Sequence, residues 1–194
     1  MLRAYTCCPE GASANFASSV ESRHDFDLSE SGRPDRQINM NNPFMARAIQ
    51  LSIENVHSNN GGPFGAVIVK GGQIIAENVN RVTSTNDPTA HAEVLAIRQA
   101  CTKLGVFELL DCELYTSCEP CPMCLGAIYW AHISRIWFAN SAEDAAGIGF
   151  DDSFVYSELK LPPAKRRIPT RQMMREEALA AFRAWAAKPD KIAY

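Results

Sequence analysis

Two short segments of the chain carry metal-binding side chains at a spacing suited to zinc chemistry. HAE occupies 91–93 and PCPMC occupies 120–124. Cys121 and Cys124 are three residues apart, which places both thiols on one face of a helix. Together with His91 they make three zinc ligands. Structural zinc sites usually have four protein ligands, whereas three leave a position for water, as in catalytic sites. The pattern therefore predicts a catalytic zinc centre.

Glu93 gives this centre a second chemical group. Both segments lie where the pattern predicts a helix N-terminus, whose free N–H groups and dipole favour thiolates. Zinc lowers the pKa of a bound water to about 7, so hydroxide forms at neutral pH. Glu93 is not on the helix face of His91, but in the first turn both side chains can reach one site. We predict that Glu93 transfers protons between water and substrate.

Other interpretations of the cysteines remain open at this stage. A Cys-x-x-Cys pair alone is often structural or redox-active. Cys118 lies three residues before Cys121 and could supply a fourth ligand, but we interpret it as a buried thiol at a strand end. The combination of both segments, each opening a helix, favours the catalytic interpretation.

The elements that must position these residues follow from hydrophobic periodicity and end signals. Asn42 and Pro43 predict the start of a helix that runs to about residue 57, with Ala46, Ile49, Ile53 and Val56 on its apolar face. Two β-branched runs around Gly71-Gly72 predict a hairpin. Further helices are expected at 90–104 (with Thr89 as the cap), 121–131 and 171–188, further strands at 112–117 and 136–139, and a loop from Asn140 to about Ser153. This order predicts an α/β fold, a three-layer α/β/α arrangement around a mixed sheet of about five strands.

Composition restricts the class of protein. The chain has 194 residues, with 19 basic and 22 acidic side chains and a net charge of −3, which argues against a nucleic-acid-binding surface over the whole protein. No run approaches the ~20 apolar residues of a membrane helix. The seven cysteines are odd in number and no secretory signal is evident, so we expect a reducing, cytoplasmic location. Residues 1–38 are polar without period and are predicted to be a disordered extension of a domain at 39–194.

The motifs also carry a family resemblance. HAE with TSCEPCPMC at 116–124 resembles the cytidine/deoxycytidylate deaminase superfamily, whose signature pairs H-x-E with P-C-x-x-C. Within it the chain is most similar to the guanine deaminases of the small bacterial type. That similarity rests on GGPFGA at 61–66, NDPTAH at 86–91, LGAIYW at 125–130, GFDDSF at 149–154 and the terminal tyrosine. The resemblance covers residues 42–194 and implies a cytidine deaminase-like fold.

The resemblance implies a reaction, in which guanine and water give xanthine and ammonia. It implies one zinc ion per subunit with a catalytic water, held by His91, Cys121 and Cys124, and Glu93 as the proton shuttle. Asp152 is implied to recognise the amine and assist proton transfer. Its neighbour Asp151 should point elsewhere. Glu143, just after the last predicted strand, is a possible second acid.

Substrate contacts and assembly are implied in the same way. The expected substrate-binding residues are Asn80, Phe64, Ala92 and Tyr194. The alternative for Asn80 is a turn former, and Phe64 could equally be a core residue. A homodimer is implied in which exchanged C-terminal segments form a lid over the partner's site. A nucleic-acid or membrane partner is not expected. The alternatives are a tRNA adenosine deaminase, a deaminase of another amino-purine or amino-azine, and a zinc-dependent binding module without catalysis.

Overall fold

A computed structural model describes residues 41–193. The predicted extension at 1–38 and the terminal Tyr194 lie outside the described residues. The elements, in chain order, are α1 (Pro43–Ser58), β1 (Gly65–Lys70), β2 (Gln73–Val79), α2 (Val82–Thr85), α3 (Ala92–Leu104), β3 (Cys112–Cys118), α4 (Pro122–Trp130), β4 (Arg135–Asn140), α5 (Ala142–Gly147), α6 (Ser153–Leu159), a 3₁₀ turn (Pro163–Lys165) and α7 (Arg175–Ala187). None of the helices in this described part is long and apolar enough to cross a membrane.

The strands form one mixed sheet in the order β2-β1-β3-β4. β1 pairs antiparallel with β2 and β3, and β3 pairs parallel with β4. The β1–β2 hairpin turns at Gly71 and Gly72, whose φ angles of 57° and 79° suit glycine and the twist of a two-residue hairpin. The sheet therefore brings the C-terminal ends of β3 and β4 to the same edge.

Helices cover both faces of the sheet. Successive strand side chains point to opposite faces. Ala66 and Ile68 of β1 pack in the core beneath α3 and α4, whereas Val67 and Val69 pack against α1. The three-layer α/β/α prediction is confirmed. The described residues contain four strands, close to the expected number of about five.

Helix α1 begins as predicted but buries a different face. Asn42 Oδ1 accepts hydrogen bonds from the backbone N–H groups of Phe44 (2.9 Å) and Met45 (3.1 Å), and Pro43 is the first helical residue. The predicted apolar face was wrong, because Ile49, Ile53 and Val56 are exposed. The face against the sheet instead contains two small or apolar residues and two polar ones, namely Ala48, Leu51, Ser52 and Asn55.

The packing of α1 on β1 leaves no room for a side chain at Gly65. A Cβ there would lie 2.5 Å from the carbonyl oxygen of Ala48 and 2.8 Å from Cβ of Leu51. We expect Gly65→Ala to lower the free energy of unfolding by about 1–3 kcal/mol, because α1 must move away from the sheet. Denaturant unfolding measures this loss. Gly147→Ala, which meets no atom within 4 Å, is the control and should change stability by less than about 0.5 kcal/mol. Equal stabilities of the two variants would contradict this account of the packing.

Candidate active site

The N-termini of α3 and α4 meet at the C-terminal end of β3. His91 is the N-cap residue of α3, and Cys121 is the N-cap residue of α4. The His91 side chain makes no capping hydrogen bond to the first turn of α3. Thr89 was expected to cap α3; instead its N–H and hydroxyl donate to Asp87 Oδ1 in the preceding turn. The His91 imidazole and the Cys121 thiol are therefore free to face one another.

His91, Cys121 and Cys124 form a compact group of ligand atoms. His91 Nδ1 lies 3.6 Å from Cys121 Sγ and 3.5 Å from Cys124 Sγ, and all three atoms lie within 4.8 Å of one another. Zinc bound tetrahedrally at about 2.0 Å from nitrogen and 2.3 Å from sulfur separates those ligands by about 3.5 Å. The donor set and its spacing therefore fit zinc, and these three residues would hold it.

The protonation of the two thiols suits a metal site. The pKa of Cys121 is lowered to about 4, because Cys124 donates a hydrogen bond to its sulfur and His91 lies beside it. The pKa of Cys124 is raised by that same hydrogen bond and by burial. Zinc is bound by thiolates, so its binding would require Cys124 to lose its proton as well.

Glu93 lies against the ligand group inside the protein. Its side chain is 6% exposed, and burial raises the pKa of its carboxyl. Oε1 accepts from the Thr116 hydroxyl at 3.3 Å, and Oε2 is 3.5 Å from Cys124 Sγ. The shift brings the pKa of this carboxyl closer to neutral pH, which is the direction that favours a general acid and base.

A cavity of about 420 Å³ opens onto this group. The structure brings six of the expected site residues to its wall, namely Phe64, Asn80, His91, Glu93, Cys121 and Asp152. Ala92 is fully buried and Glu143 is exposed on α5, and neither lines the cavity. Tyr194 lies outside the described residues. The cavity volume is within the range of small-molecule sites.

The orientation of the Asn80 side chain is set by two backbone groups. Its Oδ1 accepts hydrogen bonds from the N–H groups of Gly62 and Val82, both at 3.2 Å. Its amide nitrogen makes no hydrogen bond within residues 41–193. The amide N–H groups are therefore the part of Asn80 that a ligand in the cavity can use.

The two adjacent aspartates before α6 have different surroundings. Asp151 is exposed, and its Oδ1 accepts from the N–H of Ser153 at the start of α6. Both aspartates line the cavity, but Asp152 is half-buried and makes no capping bond to the helix. Its pKa is raised, mainly by burial and then by the charge of Cys121. Of these two aspartates, Asp152 is therefore the one whose carboxyl is not bonded to the start of α6 and is available to a ligand.

Aromatic side chains form one wall of the cavity. The rings of Phe64 and Phe150 meet edge to face, with centroids 5.0 Å apart and planes at 88°. A side chain on Gly62 would lie 3.1 Å from the Phe64 ring and 3.3 Å from that of Phe150. These contacts give the cavity an apolar side made of two packed aromatic rings.

Cys118 is a thiol near the site that stands apart from the ligand group. It is buried at the end of β3, and its Sγ is 3.6 Å from the carbonyl oxygen of Ser141. Burial raises its pKa to about 11. A protonated thiol bonded to a backbone carbonyl agrees with the interpretation of Cys118 as a buried strand-end residue.

Comparison with known proteins identifies the family. Residues 39–140, about half of the chain, match the cytidine and deoxycytidylate deaminase zinc-binding region. The chain belongs to the cytidine and deoxycytidylate deaminase family. All three residues of the ligand group and Glu93 lie within the matched region of the deaminase.

Relatives of this deaminase include enzymes with two kinds of substrate. It is 56% identical to the guanine deaminase of Bacillus subtilis (strain 168) over 151 residues, which are 78% of this chain and 97% of the relative. A crystal structure of guanine deaminase from Bacillus subtilis has a TM-score of 0.76 to it and covers 78% of this chain and 96% of its own. The tRNA-specific adenosine deaminase of Aquifex aeolicus is 39% identical over 60% of this chain and 74% of the relative.

Several wall residues of the deaminase are not among the predicted site residues. Val82, Thr83, Pro88 and Phe150 line the cavity from α2 and from loops. Phe150 lies within the segment GFDDSF, from which only Asp152 was predicted to be a site residue. The short helix α2 gave no periodic signal, because it spans only four residues.

Proposed function

We propose that this protein catalyses the hydrolytic deamination of guanine to xanthine and ammonia, a step of purine salvage or catabolism. The observation that carries the proposal is the 56% identity to a guanine deaminase over 97% of that relative. The cavity agrees with it, because it places a zinc-binding group, a buried carboxyl and free amide N–H groups around a space of about 420 Å³.

The residues around the cavity have separate roles in the proposed reaction. When bound by His91, Cys121 and Cys124, zinc supplies the Lewis acid that makes water nucleophilic at neutral pH. Glu93 accepts the proton that water loses as its oxygen bonds to the purine carbon, and delivers it to the neighbouring ring nitrogen. The second proton of that water leaves its oxygen as the new carbonyl forms, and it must reach the leaving amine as the C–N bond breaks. The position of Glu93 beside the ligand group suits it to both transfers, and the raised pKa of its carboxyl favours them.

Substrate recognition is assigned to the remaining polar groups of the cavity. The free N–H groups of Asn80 donate to an acceptor on the purine edge, and the carboxyl of Asp152 accepts from the amine. Phe64 and Phe150 contact the flat face of the base. The backbone N–H of Ala92, in the first turn of α3, is the remaining candidate donor. We assign the role of a second acid to Asp152, because Glu143 is exposed and does not line the cavity.

The domain at 39–194 is proposed to act as a homodimer with exchanged C-terminal segments. Helix α7 buries none of its residues in the single chain, and Phe182 and Trp185 are 74% and 47% exposed. Apolar side chains on a helix usually mark a face that packs against something. In the proposed dimer this segment covers the partner's cavity and Tyr194 contributes to that site. A cytoplasmic location agrees with the five free cysteines among the described residues.

Removal of residues 189–194 tests the exchanged lid. We expect the truncated enzyme to lose at least about tenfold in kcat for guanine, because an uncovered site admits water. Its melting temperature should change by less than about 3 °C, since the described part of the tail is exposed. Turnover is measured on zinc-loaded protein alongside thermal unfolding, with Lys191→Ala as a full-length control. Unchanged turnover in the truncated enzyme would contradict the lid.

Ammonia release from several amino compounds tests the substrate. The purified zinc-loaded protein is incubated with guanine, adenine, cytosine, cytidine and an anticodon stem-loop RNA. We expect release from guanine, at a rate well above that from the other four. Release from the RNA alone would favour the tRNA adenosine deaminase, and release from cytosine or adenine alone would favour another amino-azine. Release from none, with zinc bound, would contradict the proposal.

A further inference from the structure

A buried asparagine on the first helix bonds to two loops of the cavity. Asn55 lies in the last turn of α1, is 2% exposed and does not line the cavity. Burial of an amide in a protein interior is unfavourable unless its groups are hydrogen-bonded. The hydrogen bonds of Asn55 therefore account for its presence on the face that packs against the sheet.

The amide nitrogen of Asn55 joins two separate backbone segments. It donates to the carbonyl oxygen of Gly62 at 2.8 Å and to that of Asn80 at 2.8 Å. Because both partners are carbonyl oxygens, the orientation of the amide is settled by its bonds. Its other atom, Oδ1, is buried without a hydrogen-bond partner in the described chain. An apolar residue of this size would avoid that cost but would leave the carbonyl oxygens of Gly62 and Asn80 without this donor.

Both segments that Asn55 joins also determine the position of the Asn80 side chain. Gly62 N–H donates to Asn80 Oδ1, and a side chain on Gly61 would overlap the carbonyl oxygen of Asn80. The loop before β1 and the end of β2 are thus in close contact, with Asn55 behind them. If Asn55 no longer bonds to both carbonyls, the Gly62 N–H can separate from Asn80, and the amide that faces the cavity loses its fixed orientation.

We propose that Asn55 is a positioning residue for the substrate, acting through the Gly62 loop on the amide of Asn80. The inference rests on the proposed function, in which Asn80 donates to the purine edge. Asn55 does not contact the substrate; it keeps the donor of Asn80 preorganised, so that binding need not order that side chain. Its loss should therefore raise KM for guanine more than it lowers kcat.

Steady-state kinetics of paired variants test this inference. We expect Asn55→Leu to lower kcat/KM for guanine about tenfold, mainly through KM, with zinc content unchanged. Asn55→Asp keeps the shape of the side chain but replaces the donor with an acceptor. We expect it to lower kcat/KM for guanine by a similar factor. In an Asn80→Ala background, Asn55→Leu should have almost no further effect. Ser52→Ala is the control, because within residues 41–193 the hydroxyl of this buried serine bonds only to the carbonyl oxygen of Ile49 in its own helix. If Asn55→Leu lowered kcat/KM by the same factor in the wild-type and Asn80→Ala enzymes, Asn55 would have only a structural role.

Amide hydrogen exchange separates this inference from the proposed function. In Asn55→Leu, the N–H groups of Gly62 and Val82 should exchange faster, since both bond to Asn80 Oδ1. Amides of α3 should keep their rates. Unchanged exchange at Gly62 and Val82 would overturn the inference whatever the substrate is. Failure of the unmodified enzyme to act on guanine would overturn the proposed function instead.

Discussion

Replacement of Glu93 by glutamine is expected to lower kcat for guanine by at least about a thousandfold while zinc remains bound. Glutamine has nearly the same size but neither accepts nor releases a proton at neutral pH. The three ligand atoms belong to other residues, so the affinity for zinc should be nearly unchanged. A deaminase without its proton shuttle would still bind guanine, and KM should move far less than kcat.

The measurement for Glu93 combines turnover with elemental analysis of the same sample. Glu54→Gln is the matched control, because it makes the same chemical change at a glutamate that is exposed on α1 and outside the cavity. It should retain full turnover. If Glu93→Gln kept more than about a tenth of wild-type kcat, general acid–base catalysis by Glu93 would be wrong. If the protein were a zinc-binding module without catalysis, Glu93→Gln would likewise leave its function unchanged.

Replacement of either cysteine of the ligand group should remove zinc and activity together. With His91, Cys121 and Cys124 as the three protein ligands, Cys121→Ala or Cys124→Ala leaves only two. We expect less than about a tenth of wild-type zinc after dialysis, and a proportional loss of turnover, because affinity depends on the complete ligand set. Elemental analysis and kinetics on the same preparations measure the two quantities.

Cys118→Ala is the control for both cysteine variants. Cys118 lies three residues before Cys121, yet its thiol is directed to the carbonyl oxygen of Ser141. The variant should therefore keep its zinc. Loss of zinc in Cys118→Ala would make it a fourth ligand, and full zinc in Cys121→Ala would remove that residue from the ligand group.

Features carried by local sequence were predictable. The Asn42 cap and the Gly71-Gly72 turn each depend on a few neighbouring residues, and both occur as expected. The proximity of His91 to Cys121 and Cys124 was also predictable, because each segment opens a helix beside the same strand. A further local signal was missed: Ser141 and Asp144 form the capping box of α5, in a segment expected to be a loop.

Features that depend on tertiary contacts were not predictable from the residues alone. The buried face of α1 was predicted from its isoleucines. Because α1 approaches β1 closely at Gly65, the smaller residues Ala48 and Ser52 pack against the sheet instead. Asn55 was missed for the same reason, since only the folded chain brings the carbonyls of Gly62 and Asn80 to its amide. The cavity wall at Phe150 likewise depends on a loop that meets Phe64, just before β1, only in the folded chain.

Oxygen labelling tests the central claim most directly. Zinc-loaded enzyme is given guanine in water enriched in ¹⁸O, and the purine product and ammonia are quantified by mass spectrometry and an ammonia assay. The account predicts xanthine that carries one ¹⁸O atom at the carbon that bore the amine, with one ammonia released per xanthine. Xanthine without the label, or no conversion of guanine by enzyme with zinc bound, would contradict hydrolytic deamination at this site.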